Sequence, residues 1–233
     1  MINSILFDFF GTIVSFKHGR QSKSFINAFN FLSKQNIQLN YVDFVQLWGK
    51  SFKYFEVLHQ SDLIEFSLNE VLEHFLAKIK AEPLNNEVKN QFIDIYVNEW
   101  ALHIQPFDGV KPFLDELSKH YKLGILSNTH KSGLVEVLLE KYALTHYFHS
   151  ITTSVDFGKA KPHHDIYHYA LAKMDSTAEN TLFIGDTYIH DYLTPKALGL
   201  RSILIGHDEH CPVKEHNIDC ITDLNQAIID LCQ

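Results

Sequence analysis

Four short groups of polar residues follow segments that could each end a β-strand. The groups are Asp8-Phe9-Phe10-Gly11-Thr12, Ser127-Asn128, Gly158-Lys159-Ala160-Lys161-Pro162, and Gly185-Asp186 with Asp191. Together they supply carboxylates, a hydroxyl, an amide and a lysine ammonium, which in one place could bind and act on a polar ligand. Taken singly, each group has an ordinary explanation as a helix cap, a turn or a solvated loop lysine. Their order and their placement after strands favour a shared site.

The segments before these groups have the patterns of strands in one sheet. Residues 2–7 form a short, mainly apolar run that ends at Asp8, and Gly11 then breaks the pattern. Further strands are predicted at 122–126, 150–153, 181–185, 201–205 and 219–221. Helices are predicted at about 110–120, 131–142, 164–173, 190–198 and 223–231. This alternation implies parallel strands with right-handed crossovers, and such sheets bind ligands at the carboxyl ends of their strands.

Between the first strand and this later region the apolar period becomes helical, from about residue 20 to 103. One of four stripes runs through Leu68, Val71, Leu72, Phe75 and Ile79. Ser67 and Glu70 before and within that stripe have the spacing of a capping box.

The fold class predicted is therefore α/β, a doubly wound and mostly parallel Rossmann-like sheet with an inserted all-helical domain. The core comprises residues 1–15 and 106–233, and the insertion comprises residues 16–105.

Composition narrows the class of protein. The chain has 233 residues, 45% of them hydrophobic and 21% charged, which is typical of a globular protein. A formal charge of −8 disfavours nucleic acid as a partner, and no run reaches the ~18 apolar residues of a membrane helix.

The N-terminus has no basic segment before its apolar run, so a signal peptide is not expected. Three cysteines without a CxxC pair suit a reducing compartment, and the predicted location is the cytoplasm. No sequence feature demands an oligomer.

The four groups, in this order, resemble the motifs of the haloacid dehalogenase-like superfamily of hydrolases. The segment from Asp8 to Thr12 matches the first motif, Ser127 the second, Lys161 the third, and Gly185-Asp186 through Asp191 the fourth. The predicted helices at 16–105 fall where that family places a helical cap.

The resemblance implies a covalent mechanism that acts on a small-molecule substrate. Asp8 would be the nucleophile, and water would hydrolyse the intermediate formed on it. Ser127 and Lys161 would hold the transferring group and stabilise its charge. Thr12 and Asn128 would bind substrate.

The resemblance also implies Mg²⁺ as the cofactor. Its ligands would be the side chains of Asp8 and Asp186 and the backbone carbonyl of Phe10. Asp191 would bind through water or orient Lys161.

Some positions depart from the family's phosphatases. Where they carry a second aspartate that serves as acid and base, this chain has Phe10, and the family's dehalogenases have an aromatic tyrosine there. Metal-free dehalogenases have a serine in place of Asp186 and an arginine that neither Arg20 nor Arg201 matches. Tyr167 is either a counterpart of a dehalogenase tyrosine or a core aromatic.

Three functions follow from these departures. The favoured one is Mg²⁺-dependent hydrolysis of a small phosphorylated metabolite, with the acid–base step weakened by Phe10. The alternatives are hydrolysis of a carbon–halogen bond in a 2-haloacid and a non-catalytic protein that binds phosphate and metal.

Overall fold

The computed structural model describes residues 1–15 and 25–206, together with residues 217–218 and 224. The chain divides into two units: Met1–Phe16 with Gln105–Gln233, and Lys17–Ile104.

The first unit is built on a six-stranded sheet in which every neighbouring pair is parallel. Its strands are β1 (Ser4–Phe7), β2 (Lys122–Ser127), β3 (Phe148–Thr153), β4 (Thr181–Gly185), β5 (Arg201–Ile205) and β6 (Asn217–Ile218). Their order is β3-β2-β1-β4-β5-β6. The chain moves outward from β1 to β3 and returns to β4 on the other side of β1. This doubly wound order confirms the predicted fold class and puts the switch point between β1 and β4.

The strand predictions hold to within two residues for β1 to β5. The strand predicted at 219–221 lies outside the described residues, and β6 lies at the two described positions just before it. The helix predicted at 223–231 also lies outside them, apart from Leu224, which is buried.

The second unit contains four α-helices within its described residues. They are α1 (Ile26–Lys34), α2 (Tyr41–Leu58), α3 (Leu68–Lys78) and α4 (Asn86–Trp100). The capping box predicted at the start of α3 is present, because Ser67 accepts from the Glu70 N–H and Glu70 accepts from the Ser67 N–H. The apolar faces meet in an aromatic cluster, where the Trp48 ring centroid lies 5.8 Å from that of Phe75 and 5.3 Å from that of Phe92.

Helices of the first unit connect the strands of its sheet. They are α5 (Val110–Leu117), α6 (Leu134–Lys141), α7 (Ser154–Phe157), α8 (His164–Lys173) and α9 (Thr194–Ala197). The short α7 was not predicted. The helix predicted at 190–198 is a π-helical turn over Tyr188–Leu193 followed by α9. Pro195 lies in the first turn of α9, where its missing N–H removes no intrahelical hydrogen bond.

Tyr167, on α8, belongs to the core between that helix and the sheet. It is fully buried with Leu6, Leu126 and Phe183, and its hydroxyl donates to the backbone carbonyl of His190. The core interpretation of this residue is therefore confirmed. None of the described helices is long and apolar enough to cross a membrane.

Candidate active site

The predicted site residues come together at the carboxyl ends of β1, β2 and β4. Asp8 directly follows β1, and its backbone N–H donates to the Ile184 carbonyl of the neighbouring strand at 2.8 Å. Ser127 ends β2, and Asp186 directly follows β4. The parallel register therefore places a carboxylate after each of two adjacent strands, at the switch point of the sheet.

The Lys161 ammonium lies between two carboxylates. Its Nζ is 2.9 Å from Oδ1 of Asp8 and 2.7 Å from Oδ1 of Asp191, and the residue is only 4% exposed. Burial by itself lowers the pKa of Lys161, but the charges of Asp191 and Asp8 and the hydrogen bonds that they accept outweigh it. The pKa is therefore raised above its usual value, and Lys161 is a fixed cation at neutral pH.

Asp8, Asp186 and Asp191 form a carboxylate cluster. One oxygen from each can be chosen so that all three lie within 4.8 Å of one another. Burial raises the pKa of Asp8, and it raises the pKa of Asp186 to about 7, with the charges of Asp8 and Asp191 acting in the same direction on Asp186. The main cause is the exclusion of water from these carboxylates, and the repulsion between their like charges adds to it.

Two glycines allow this crowding. A Cβ atom on Gly11 would lie 2.0 Å from Oδ2 of Asp186, and one on Gly185 would lie 2.4 Å from Cβ of Asp191. Gly11 also has φ +89°, a conformation that side chains with a Cβ rarely adopt. Any other residue at either position would displace a carboxylate of the cluster.

Asp191 is held by the start of the π-helical turn. Its Oδ2 accepts from the Thr187 N–H at 3.0 Å, and its own N–H donates to the Thr187 carbonyl at 2.8 Å. These bonds leave Oδ1 for Lys161. Sequence reasoning did not single out Thr187, because both bonds to Asp191 use its backbone; its hydroxyl also donates to Oδ1 of Asp186 at 3.4 Å.

Two hydroxyls of the first and second motifs are buried without a protein partner. Within the described residues, Thr12 Oγ1 and Ser127 Oγ make no hydrogen bond, although each residue is only 1% exposed. A buried hydroxyl without a hydrogen bond destabilises the folded protein by about 1–3 kcal/mol, so such groups commonly bind a ligand or water. Both hydroxyls could donate to the oxygens of an anion.

Asn128, which is predicted to bind substrate, is bonded to the backbone of Lys161. Its side-chain amide donates to the Lys161 carbonyl at 3.0 Å and accepts from the Lys161 N–H at 2.8 Å. Both ends of the amide are thus bonded to the backbone of the lysine loop.

Phe10 is an aromatic residue two positions after Asp8. The residue is half-buried, and its ring meets that of Phe9 edge-on at a centroid distance of 4.9 Å. Its backbone pairs with Val14 in an isolated bridge. The side chain has no group that can give or take a proton.

Comparison with known proteins identifies the relatives of this chain. Residues 5–205 match the family described as haloacid dehalogenase-like hydrolase. The chain is 30% identical over 122 residues to haloacid dehalogenase-like hydrolase domain-containing protein 3 of Xenopus laevis, which covers 52% of this chain and 47% of that protein. It thus spans about half the length of that relative. It is 27% identical over 180 residues to a pyrimidine 5′-nucleotidase of Escherichia coli strain K12, covering 75% of this chain and 79% of that protein.

Among solved structures, the chain resembles that of a 2-haloacid dehalogenase from Pseudomonas syringae pv. tomato DC3000. The TM-score is 0.75 at 17% identity, and the match covers 99% of this chain and 100% of the other. At this identity the likeness concerns the fold alone.

Proposed function

This chain belongs to the haloacid dehalogenase-like hydrolase family, and on that premise we propose that it is a Mg²⁺-dependent hydrolase of a small phosphorylated compound. The observation that supports this most is the carboxylate cluster of Asp8, Asp186 and Asp191. A hydrolase that used no metal would gain nothing from a third carboxylate, Asp186, whose pKa is raised by burial and by the charges of its neighbours.

The cluster suits a divalent cation on the grounds of charge. When all three carboxylates are ionised, they and the ammonium of Lys161 leave two negative charges in a largely buried space. Carboxylate oxygens are the ligands that Mg²⁺ prefers in proteins. Asp8 and Asp186 would hold the ion with the Phe10 carbonyl, and Asp191 would bind through water or through its bond to Lys161. When bound, Mg²⁺ supplies positive charge that offsets the repulsion between Asp8 and an incoming phosphoryl group.

Asp8 would carry out the covalent step. One of its carboxylate oxygens forms a bond to phosphorus while the bond from phosphorus to the leaving oxygen breaks, which gives an aspartyl phosphate. Water then attacks and releases inorganic phosphate and the free carboxylate. The unpaired hydroxyls of Thr12 and Ser127 and the ammonium of Lys161 would donate to the phosphoryl oxygens as charge develops on them.

Phe10 restricts the leaving group. An alkoxide leaves poorly unless it is protonated, and general acid catalysis typically contributes 10²–10⁴-fold. Phe10 cannot supply that proton. We therefore propose that the preferred substrates have leaving groups that depart as stable anions, as acyl phosphates and phosphoanhydrides do.

The two units of the chain would have different functions, catalysis in one and substrate selection in the other. The sheet unit, residues 1–15 and 106–233, would hold all the catalytic groups named above. The helical unit, residues 16–105, would act as a cap that selects the substrate.

The second candidate function is hydrolysis of a 2-haloacid, and Phe10 is the observation that favours it. A halide leaves without a proton, so an aromatic residue beside the nucleophile costs that reaction nothing. Two residues argue against this function. Asp186 is a carboxylate where metal-free dehalogenases have a serine. The hydroxyl of Tyr167, the possible counterpart of a dehalogenase tyrosine, is bonded to the His190 carbonyl. A third candidate, binding of phosphate and metal without turnover, also follows from Phe10.

A substrate panel separates these functions. It should contain phosphate monoesters, acyl phosphates, phosphoanhydrides and 2-haloacids, each assayed with Mg²⁺ and with a chelator. The proposal expects Mg²⁺-dependent phosphate release, fastest from acyl phosphates and phosphoanhydrides and lost in Asp8→Asn. Halide release that is indifferent to the chelator would establish the second function. Phosphate binding without any turnover would establish the third.

A further inference from the structure

Asn128 and the backbone of Lys161 form a pair of hydrogen bonds. The Nδ2 group of Asn128 donates to the Lys161 carbonyl at 3.0 Å, and the Lys161 N–H donates to Oδ1 of Asn128 at 2.8 Å. One donor and one acceptor of this side-chain amide are thus bonded to a residue 33 positions further along the chain. An amide suits this pairing because it carries a donor and an acceptor side by side.

The pair fixes the base of a long side chain. Lys161 lies in the connection between α7 and α8, and its flexible stem must bring the ammonium to Asp8 and Asp191. The neighbouring residue Thr129 makes a second hydrogen bond of this kind, because its N–H donates to Ser154 Oγ at 2.9 Å. The segment that follows β2 is therefore bonded both to the start of α7 and to the connection that follows α7.

We propose that Asn128 is a positioning residue that acts on the reaction through Lys161. Its two hydrogen bonds hold the Lys161 backbone where the ammonium reaches both carboxylates, and this role differs from the substrate contact predicted from the sequence. The kinetic consequence rests on the proposed function, whereas the effect on the lysine itself does not.

The effect on Lys161 can be measured without a substrate. In the wild type the ammonium is buried and bonded to two carboxylates, so it should react slowly with acetic anhydride. Mass spectrometry of digested protein gives the acetylation rate of each lysine. Asn128→Ala should raise the rate at Lys161 roughly tenfold, relative to the other lysines, because two hydrogen bonds to its backbone are lost.

Asn85→Ala is the matched control. Asn85 caps α4 by accepting from the Val88 N–H at 2.9 Å, so its loss weakens the fold away from Lys161. If Lys161 is acetylated no faster in Asn128→Ala than in Asn85→Ala, the proposal is wrong. Should Asn128→Ala fail to fold, Asn128→Asp keeps the size and the acceptor but cannot donate to the Lys161 carbonyl, and it should show the same selective increase.

A double-mutant cycle tests the kinetic consequence on any substrate that is turned over. Misplacing a catalytic group costs on the order of 10- to 100-fold, so Asn128→Ala should lower kcat by that factor with KM nearly unchanged. Lys161→Ala keeps its backbone and thus the pair, and adding Asn128→Ala to it should slow the reaction no further. Multiplicative losses, or a raised KM at constant kcat, would show instead that Asn128 contacts substrate. Absence of turnover on every substrate would count against the proposed function, and the acetylation rates would still decide the role of Asn128.

Discussion

The backbone of Gly11 passes so close to the Asp186 carboxylate that a Cβ atom on residue 11 would lie 2.0 Å from Oδ2. The first motif and the fourth are therefore fitted to each other, although they are far apart in the sequence. The position of Asp186 depends on the absence of a side chain at residue 11.

Gly11→Ala should therefore weaken Mg²⁺ binding. The new methyl group must push Asp186 aside, and the left-handed backbone at φ +89° adds strain of about 1–2 kcal/mol. Isothermal titration calorimetry with Mg²⁺ should show an affinity reduced at least tenfold.

Gly49→Ala is the control for this change. Gly49 lies within α2, and a Cβ there meets no atom within 4 Å. Alanine at this site should stabilise the protein by about 0.5–1 kcal/mol and leave Mg²⁺ binding as in the wild type. Equal Mg²⁺ affinity in both glycine variants would contradict the fit between Gly11 and Asp186.

The response to Mg²⁺ should depend on pH. Burial and the neighbouring charges raise the pKa of Asp186 to about 7, from an ordinary value of 3.8. Without metal, stability from this group is fully present below about pH 4 and is lost as the pH rises through about 7, because the folded state then holds an unfavourable charge. A bound cation removes that penalty. The rise in Tm on adding Mg²⁺ should thus be larger at about pH 8 than at about pH 5.5.

Asp186→Asn separates this effect from the titration of other groups, including the 15 histidines. The amide has no proton to lose, so most of the difference between the two pH values should disappear in thermal melts of this variant. A wild-type Mg²⁺ response that is the same at both pH values would show that Asp186 does not titrate in this range.

Much of this site could be predicted from the sequence, because the ends of the strands determine where its carboxylates lie. The apolar runs before Asp8 and Asp186 are short and clear, and parallel pairing of their strands puts both carboxylates at one edge. The double role of the Asn128 amide could not be predicted, because its partner is a loop backbone whose course depends on the whole fold. The π-helical turn at Tyr188–Leu193 was missed for a related reason. Its apolar spacing is that of an ordinary helix, and the turn is distinguished by a backbone bond that no side chain signals, from the Thr194 N–H to the Ile189 carbonyl five residues earlier.

Phe10→Asp tests whether proton transfer is the missing part of a phosphatase site. If Asp8, Lys161 and the metal ligands are otherwise in place, the new carboxyl group should raise the turnover of phosphate monoesters by ~10²-fold. Acyl phosphates should gain much less, since their leaving group needs no proton. Steady-state rates for both substrate classes give the comparison.

Phe10→Asn controls for the loss of the aromatic ring. It matches aspartate in size but cannot give up or take a proton in the reaction, and circular dichroism checks that both variants fold. A gain in Phe10→Asp but not in Phe10→Asn would support the phosphatase mechanism. Equal rates in the two folded variants would favour 2-haloacid chemistry or a site without turnover.

The central claim, that Asp8 becomes phosphorylated, can be tested directly. Wild-type protein is mixed with Mg²⁺ and acetyl phosphate, quenched in acid during turnover, digested and analysed by mass spectrometry. The account predicts that the peptide containing Asp8 gains the mass of one phosphoryl group, that fragmentation places it on Asp8, and that Asp8→Asn and chelator-treated protein lack it. Release of phosphate without any adduct on Asp8, or with equal speed in Asp8→Asn, would contradict it.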